Sequence, residues 1–109
     1  MQVSTTLPDE ATARQFGRRL VEERLAACAQ IVGPIWSTYW WESRVQEASE
    51  WYCHLKTTSA VSAELSRRIR ELHPYEVPEV IILPLKEGDA SYFKWIGDTV
   101  RPSPKLPVP

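Results

Sequence analysis

The longest β-type segment of the chain limits its possible folds more than any other feature. Across residues 28–58 the apolar positions are mostly β-branched or aromatic, and such residues favour extended strands. Glu42-Ser43-Arg44, near the middle, predicts a turn. Gly33-Pro34 interrupts the first half, and a bulge on an edge strand accommodates both residues. The segment therefore predicts one long β-hairpin.

A helical pattern lies on each side of this hairpin. The first helix is predicted from an N-cap at Asp9 to about Ala27, and the second from a cap at Thr58 or Ser59 to the proline at position 74. Each pattern repeats apolar residues at helical spacings, as a helix with one buried face requires. These residues are Ala13, Phe16, Leu20 and Ala27 in the first helix, and Val61, Leu65, Ile69 and Leu72 in the second.

The remaining segments complete a split βαβ arrangement. Residues 2–7 read as a first strand, and the apolar run 80–83 as a last strand covered on both faces. Apolar residues within 92–100 indicate a short final helix. The predicted fold is therefore α+β, a ferredoxin-like βαββαβ sandwich with an extra C-terminal helix. Residues 1–100 form a single domain, and residues 101–109, with four prolines, form an extended tail.

Composition narrows the classes of function. A net charge of −1 disfavours a nucleic-acid binder, and no apolar run approaches the ~18 residues of a membrane span. Cys28 and Cys53 lack metal-type C-x-x-C spacing and lie too far apart along the hairpin for a disulfide. Reduced cysteines and the absence of a signal-peptide pattern predict a cytoplasmic protein. Five tryptophans in 109 residues suggest self-association.

The segment His73-Pro74-Tyr75-Glu76-Val77-Pro78-Glu79 is the strongest candidate for a site. Its first four residues bring imidazole, phenol and carboxylate groups together, a set that suits a divalent metal or a small polar ligand. The structural alternative is that its prolines shape a turn and the tyrosine packs. From spacing alone both readings stay open.

Motifs along most of the chain, from about residue 8 to about residue 96, resemble the CutA divalent-cation-tolerance family. They are Leu25-Ala26-Ala27-Cys28, Tyr39 with Trp41, Leu55-Lys56-Thr57, the segment at 73–79, Leu83-Pro84, and Tyr92 with Trp95. The resemblance implies a homotrimer similar to the PII signalling proteins, with the hairpin reaching a neighbouring subunit. It also implies a role in tolerance of copper and other divalent cations and, in animal members, an association with acetylcholinesterase anchoring. No firm enzymatic activity follows from it, and we expect a protein that is not an enzyme.

Two positions depart from the pattern of the family's proposed copper binders. This chain has Thr5 where they carry a cysteine on the first strand, and Leu72 where they carry the first histidine of a pair. A soft thiolate and one imidazole, both good ligands for copper, are therefore missing. The usual glycine of the hairpin turn is Ser43 here.

These observations lead to a specific expectation for the site. Ligand clefts between subunits are expected to be lined by Lys56, Tyr75, Glu76, Trp41, Trp95 and Cys28, and copper or zinc is expected at His73 with Glu76. Lys56 is expected to pair with Glu76 or with a small anionic ligand.

Two other functions remain. The first is a structural or interaction trimer, with protein-anchoring or PII-like signalling roles, that presents the proline-rich tail to a protein partner and has no high-affinity metal site. The second is a hydrolase that uses Cys28 or His73.

Overall fold

The protein is described by a computed structural model that covers residues 1–102; most of the proline-rich tail, residues 103–109, lies outside the described residues. The described part contains four strands and three helices. In chain order they are β1 (Gln2–Leu7), α1 (Glu10–Glu22), β2 (Cys28–Trp41), β3 (Arg44–Lys56), α2 (Ser62–Leu72), β4 (Ile81–Leu83) and α3 (Ala90–Thr99). No helix within residues 1–102 is long and apolar enough to cross a membrane.

The four strands form one antiparallel sheet in the order β2-β3-β1-β4. With α1 between β1 and β2, and α2 between β3 and β4, this is the split βαβ topology, and α3 is an addition at the end. The predicted ferredoxin-like α+β fold is thus confirmed.

The long hairpin is formed as the sequence predicts. Its turn lies at Glu42 and Ser43, which both adopt positive φ angles, 51° and 62°. The register of β2 shifts between Val32 and Ile35, so the bulge at Gly33-Pro34 lies on an edge strand. Gly33 is required there because an added Cβ would lie 2.5 Å from the ring of Trp51.

The register also keeps the two cysteines apart. Cys28 lies opposite Lys56, whereas Cys53 lies opposite Ile31, and both thiols are free. Three residues of strand separate the two positions, which is about 10 Å. The expectation of no disulfide is confirmed. The offset is smaller than the five residues expected from the sequence, because the turn is centred between Glu42 and Ser43, about half a residue earlier, and the bulge adds a residue to β2.

The helices cover one face of the sheet and leave the other open. Leu55 and Cys53 of β3 are fully buried on the helix side, together with Val3 of β1. Helix α1 approaches β2 closely, since a Cβ on Gly17 would lie 2.8 Å from that of Ala29. Apolar residues from both sides form a single core.

Three details differ from the sequence-based expectation. Helix α1 ends at Glu22 rather than near Ala27, because Arg24 adopts a positive φ of 58° and turns the chain toward β2. Helix α2 starts after Val61, which supplies no side-chain cap. The strand predicted at 80–83 has only three residues and forms a sheet edge, where Ile81 is 45% exposed, so it is not covered on both faces within this subunit.

One ion pair joins the two long helices. Both oxygens of Glu23 accept hydrogen bonds from Arg68, Nε to Oε1 at 2.8 Å and Nη2 to Oε2 at 3.0 Å. This bidentate contact lowers the pKa of Glu23 to about 2. Helix α1 is therefore linked to α2 at its C-terminal end by a geometry that lysine cannot reproduce.

We predict that Glu23→Gln destabilises the protein at neutral pH by about 1 kcal/mol. Because the pKa is lower in the folded state than its ordinary 4.5, the stabilisation is present above pH 4.5 and is lost as the pH falls toward 2. Urea unfolding at pH 7 and at pH 2 should show the difference from the unchanged protein shrinking at the lower pH. Glu22→Gln, which removes an exposed pair within α1, is the control. An equal loss at both pH values would contradict the prediction.

Candidate functional site

The principal cleft lies beside the outer half of the hairpin. Strand β1 pairs with β3 only as far as Trp51, so residues 44–50 of β3 pair with β2 alone. The connection from α2 to β4 runs beside this overhang and leaves a cleft of about 810 Å³. Its lining consists of Thr6, Ser37, Thr38, Tyr39, Trp40, Trp41, Glu50, Pro74, Tyr75, Glu76, Val77 and Glu79.

His73 fixes the connection to the sheet. Its Nε2 lies 2.8 Å from the carbonyl oxygen of Thr6, and its Nδ1 accepts a hydrogen bond from the backbone N–H of Tyr75. The ring is buried against Phe16. Burial lowers the pKa of His73, so the neutral ring, with its proton on Nε2, satisfies both contacts.

Tyr75 connects the same segment to the hairpin. Its hydroxyl donates a 2.8 Å hydrogen bond to Oε2 of Glu50, which is only 8% exposed. Burial and the contact with the Glu50 carboxylate raise the pKa of the Tyr75 phenol. The phenol therefore stays protonated and acts as a hydrogen-bond donor across the floor of the cleft.

A second carboxylate faces the same region. Burial and the negative charge of Glu50 raise the pKa of Glu79. Its Oε2 is buried and has no hydrogen-bond partner within residues 1–102. The charges of Glu79 and Glu50 also raise the pKa of Tyr52, and burial adds to this. Within residues 1–102 no lysine or arginine lines the cleft, so no basic side chain there offsets this negative charge.

The structure divides the predicted site residues between two places. Tyr75, Glu76 and Trp41 lie together in the cleft. Cys28, Trp95 and Lys56 lie at the opposite end of the sheet, since Glu50 and Lys56 are six residues, about 20 Å, apart along β3.

At that opposite end the contacts are local. The Cys28 thiol lies 3.6 Å from the hydroxyl of Tyr92, whose ring packs against that of Trp95. Lys56 Nζ donates to Oε1 of Gln30 at 3.0 Å. The expected pair between Lys56 and Glu76 is therefore not formed within one subunit, because Glu76 lies in the cleft beside the outer hairpin and Lys56 at the opposite end of the sheet.

The metal expectation at His73 and Glu76 does not match the geometry of a single subunit. The proton on Nε2 of His73 is directed at the Thr6 carbonyl, and the lone pair on Nδ1 accepts from the Tyr75 N–H, so the ring has no free lone pair for a metal ion. Among residues 1–102 no group of three His, Cys, Asp or Glu side chains is positioned to hold a metal ion. Cys53 is buried, and burial raises the pKa of its thiol to about 12, which opposes the thiolate that copper prefers. The residues of one subunit do not fit a copper site.

Sequence reasoning predicted Glu76 but missed the other two carboxylates of the cleft, Glu50 and Glu79. Glu50 lies on the polar side of β3, and Glu79 was noted only as the end of a motif. It also missed a polar cluster on the open sheet face, where Ser4 Oγ lies 2.7 Å from Nδ1 of His54. Only the pairing of β1 with β3 brings Ser4 and His54 together, so no local signal would have identified them.

We predict that His73→Ala destabilises the protein by about 2 to 3 kcal/mol, because Thr6 and Tyr75 lose their buried hydrogen-bond partner. Thermal unfolding measures this loss. Calorimetric titration with Zn(II) and Cu(II), at a temperature where the variant is folded, should give the same affinity and stoichiometry as the unchanged protein. A variant that keeps its stability but loses one bound metal equivalent would contradict the structural role.

Comparison with known proteins identifies the family. The family model described as CutA1 divalent ion tolerance protein matches residues 1–99. The divalent-cation tolerance protein CutA of Thermus thermophilus is 44% identical over 96 residues, which cover 88% of this chain and 93% of that protein.

Two further relatives agree with this match. A CutA homolog of Xenopus laevis is 41% identical over 95 residues, which cover 87% of this chain but only 63% of that protein. The crystal structure of a D60A variant of CutA1 from Pyrococcus horikoshii superposes with a TM-score of 0.88 at 38% identity, and the match covers 93% of this chain and 98% of that one. The chain belongs to the CutA1 divalent ion tolerance family.

Proposed function

We propose that this chain acts in the cytoplasm as a non-enzymatic homotrimer that contributes to divalent-cation tolerance by binding a metal ion or small ligand at its subunit clefts. The observation that carries the proposal is the amount of apolar surface that one subunit leaves exposed in a member of this family. The large exposed hydrophobic residues are Val32, Trp36, Tyr39, Trp40, Trp41, Val45, Val77, Ile81, Ile82, Leu83, Tyr92 and Trp95.

Much of this surface is continuous with the open face of the sheet. Val32 lies opposite Tyr52 and therefore shares a face with His54, away from the helices. Ile81 and Leu83 lie opposite Ser4 and Gln2 and extend the same face to the other edge. Exposed apolar residues at both edges of one sheet face mark a protein interface, and a second and third copy of the sheet would cover them.

The outer hairpin provides another surface for a neighbouring subunit. Trp36 and Trp40 are 68% and 74% exposed on a two-stranded arm that pairs with no other element among residues 1–102. Isolated two-stranded hairpins are marginally stable in water, so contact with a second subunit would stabilise the arm. We therefore expect the cleft to be completed by residues of a neighbouring copy.

A metal ion bound by the trimer would need ligands from more than one subunit or from the cleft carboxylates. The described residues of one chain offer no three-ligand group, and the residues at His73 do not fit copper. Oxygen ligands such as those of Glu76 and Glu79 suit hard or borderline divalent ions better than Cu(I). The proposed response is therefore to divalent ions in general, with zinc favoured over Cu(I).

The same lack of a three-ligand group favours one alternative, a structural trimer that binds a protein partner. A pull-down with the full chain and with residues 103–109 deleted separates the two functions. The deletion keeps Arg101, which pairs with Glu64 and joins the C-terminal end of α3 to α2. Partners lost on deletion would favour the interaction module, and unchanged partners would count against a role for the tail.

We predict that sedimentation velocity shows a stable trimer and that Val32→Asp dissociates it, because a carboxylate would be buried without a partner on the open face. The expected loss of association is more than about tenfold. Gln15→Glu, on the exposed side of α1, should leave the trimer intact. A monomer of 12.5 kDa for the unchanged protein would refute the proposal.

A further inference from the structure

The cleft beside the hairpin combines acidic with aromatic side chains. Its carboxylates are Glu50, Glu76 and Glu79, and its aromatic rings are Tyr39, Trp40, Trp41 and Tyr75. Within residues 1–102 no lysine or arginine lines it. Such a lining repels anions, so the small anionic ligand expected from the sequence does not suit this cleft.

The carboxylates have no cationic partner in the described part of the chain. The ion pairs among residues 1–102 lie on the three helices and at Arg101, and none includes a carboxylate of the cleft. Glu50 is almost fully buried, and Tyr75 satisfies one of its oxygens. Glu79 holds a buried oxygen without a hydrogen-bond partner within the same residues. A bound positive charge would relieve the repulsion between these two groups.

The aromatic rings favour one kind of cation. Tyr39 and Trp41 project from the same side of β2, because side chains alternate along a strand. Within one subunit both are accessible, at 43% and 39% exposure. An aromatic face attracts a cation by about 0.5 to 2 kcal/mol, and alkylated ammonium groups are the cations that such sites commonly recognise.

The size and chemistry of the cleft distinguish an organic cation from a metal ion. Its volume of about 810 Å³ is within the ordinary range for small-molecule sites and far exceeds what a single ion needs. A divalent ion requires several fixed ligands, and no three-ligand group is present among the described residues. An alkylated ammonium group needs only aromatic faces and nearby negative charge.

We propose that this cleft binds an alkylated ammonium group, held against the rings of Tyr39 and Trp41 and neutralised by Glu50 and Glu79. The inference rests on the proposed use of the cleft as a ligand site, and it does not require a bound metal ion. The group could belong to a free small molecule or to a methylated lysine side chain, since both present the same chemistry.

Nuclear magnetic resonance of the indole N–H signals provides the test. The full chain, assembled as it is in solution, is titrated with tetramethylammonium chloride, with sodium chloride at the same ionic strength, and with tert-butanol as a neutral molecule of similar shape. We expect the Trp41 signal to shift with saturation in tetramethylammonium only. The Trp36 signal should stay fixed, because that indole bonds Glu47 and does not line the cleft.

Matched variants locate the binding. We expect Trp41→Leu and Glu79→Gln each to weaken tetramethylammonium binding by about three- to tenfold, as loss of one cation–π contact or one partly screened charge implies. Trp36→Leu and Glu47→Gln remove the same residue types from the hairpin outside the cleft and should change it less than twofold. Circular dichroism checks that each variant is folded.

Several outcomes would overturn the proposal. These are a tetramethylammonium response no larger than that of sodium, equal binding of tert-butanol, or equal effects of the cleft variants and their controls. A trimer that binds Zn(II) but fails in this titration overturns the organic cation and leaves the proposed function standing. Binding of tetramethylammonium without a metal response supports the organic cation and removes the metal role.

A peptide that contains trimethyllysine distinguishes the two sources of the ammonium group. If it binds at least tenfold more tightly than tetramethylammonium, the source is a protein side chain.

Discussion

The overhang of the hairpin beyond the rest of the sheet is the feature on which the other properties of this subunit depend. Strand β3 pairs with β1 only from Trp51 to Lys56, so its first seven residues have β2 as their single partner. This places the aromatic residues of the arm in solvent and opens the cleft beneath it. A shorter hairpin would remove the aromatic arm and the cleft beside it.

Hydrogen bonds hold the connection between α2 and β4 beside the overhang. His73 binds the end of β1 through Thr6, and Tyr75 binds the hairpin through Glu50. The segment at 73–79, which resembles a metal site in sequence, therefore has a structural role, because both ring nitrogens of His73 form hydrogen bonds. The cleft is acidic because these contacts bring Glu50 and Glu79 together without a basic residue between them.

Family membership supports the general role of the protein, and the local geometry supports the proposals about its assembly and its ligand. The match over residues 1–99 establishes the divalent ion tolerance family. The geometry of one subunit supports assembly through the open sheet face and the arm, and it supports a cation in the cleft. It gives no support to Cu(I) at His73, and the missing soft ligands at Thr5 and Leu72 agree with this. The two ends of the sheet are chemically distinct, with the Cys28–Tyr92 contact at one and the acidic cleft at the other.

The sequence alone determined the order of elements, the hairpin, its bulge and turn, and the cap at Asp9, because each depends on residues close together in the chain. It also determined that the prolines after His73 end α2. Only the tertiary structure decided which side chains meet. The pairing of strands moved Lys56 away from Glu76, joined Ser4 to His54, and placed Glu50 under Tyr75. Such contacts depend on the register of strands distant in sequence, which local propensity does not encode.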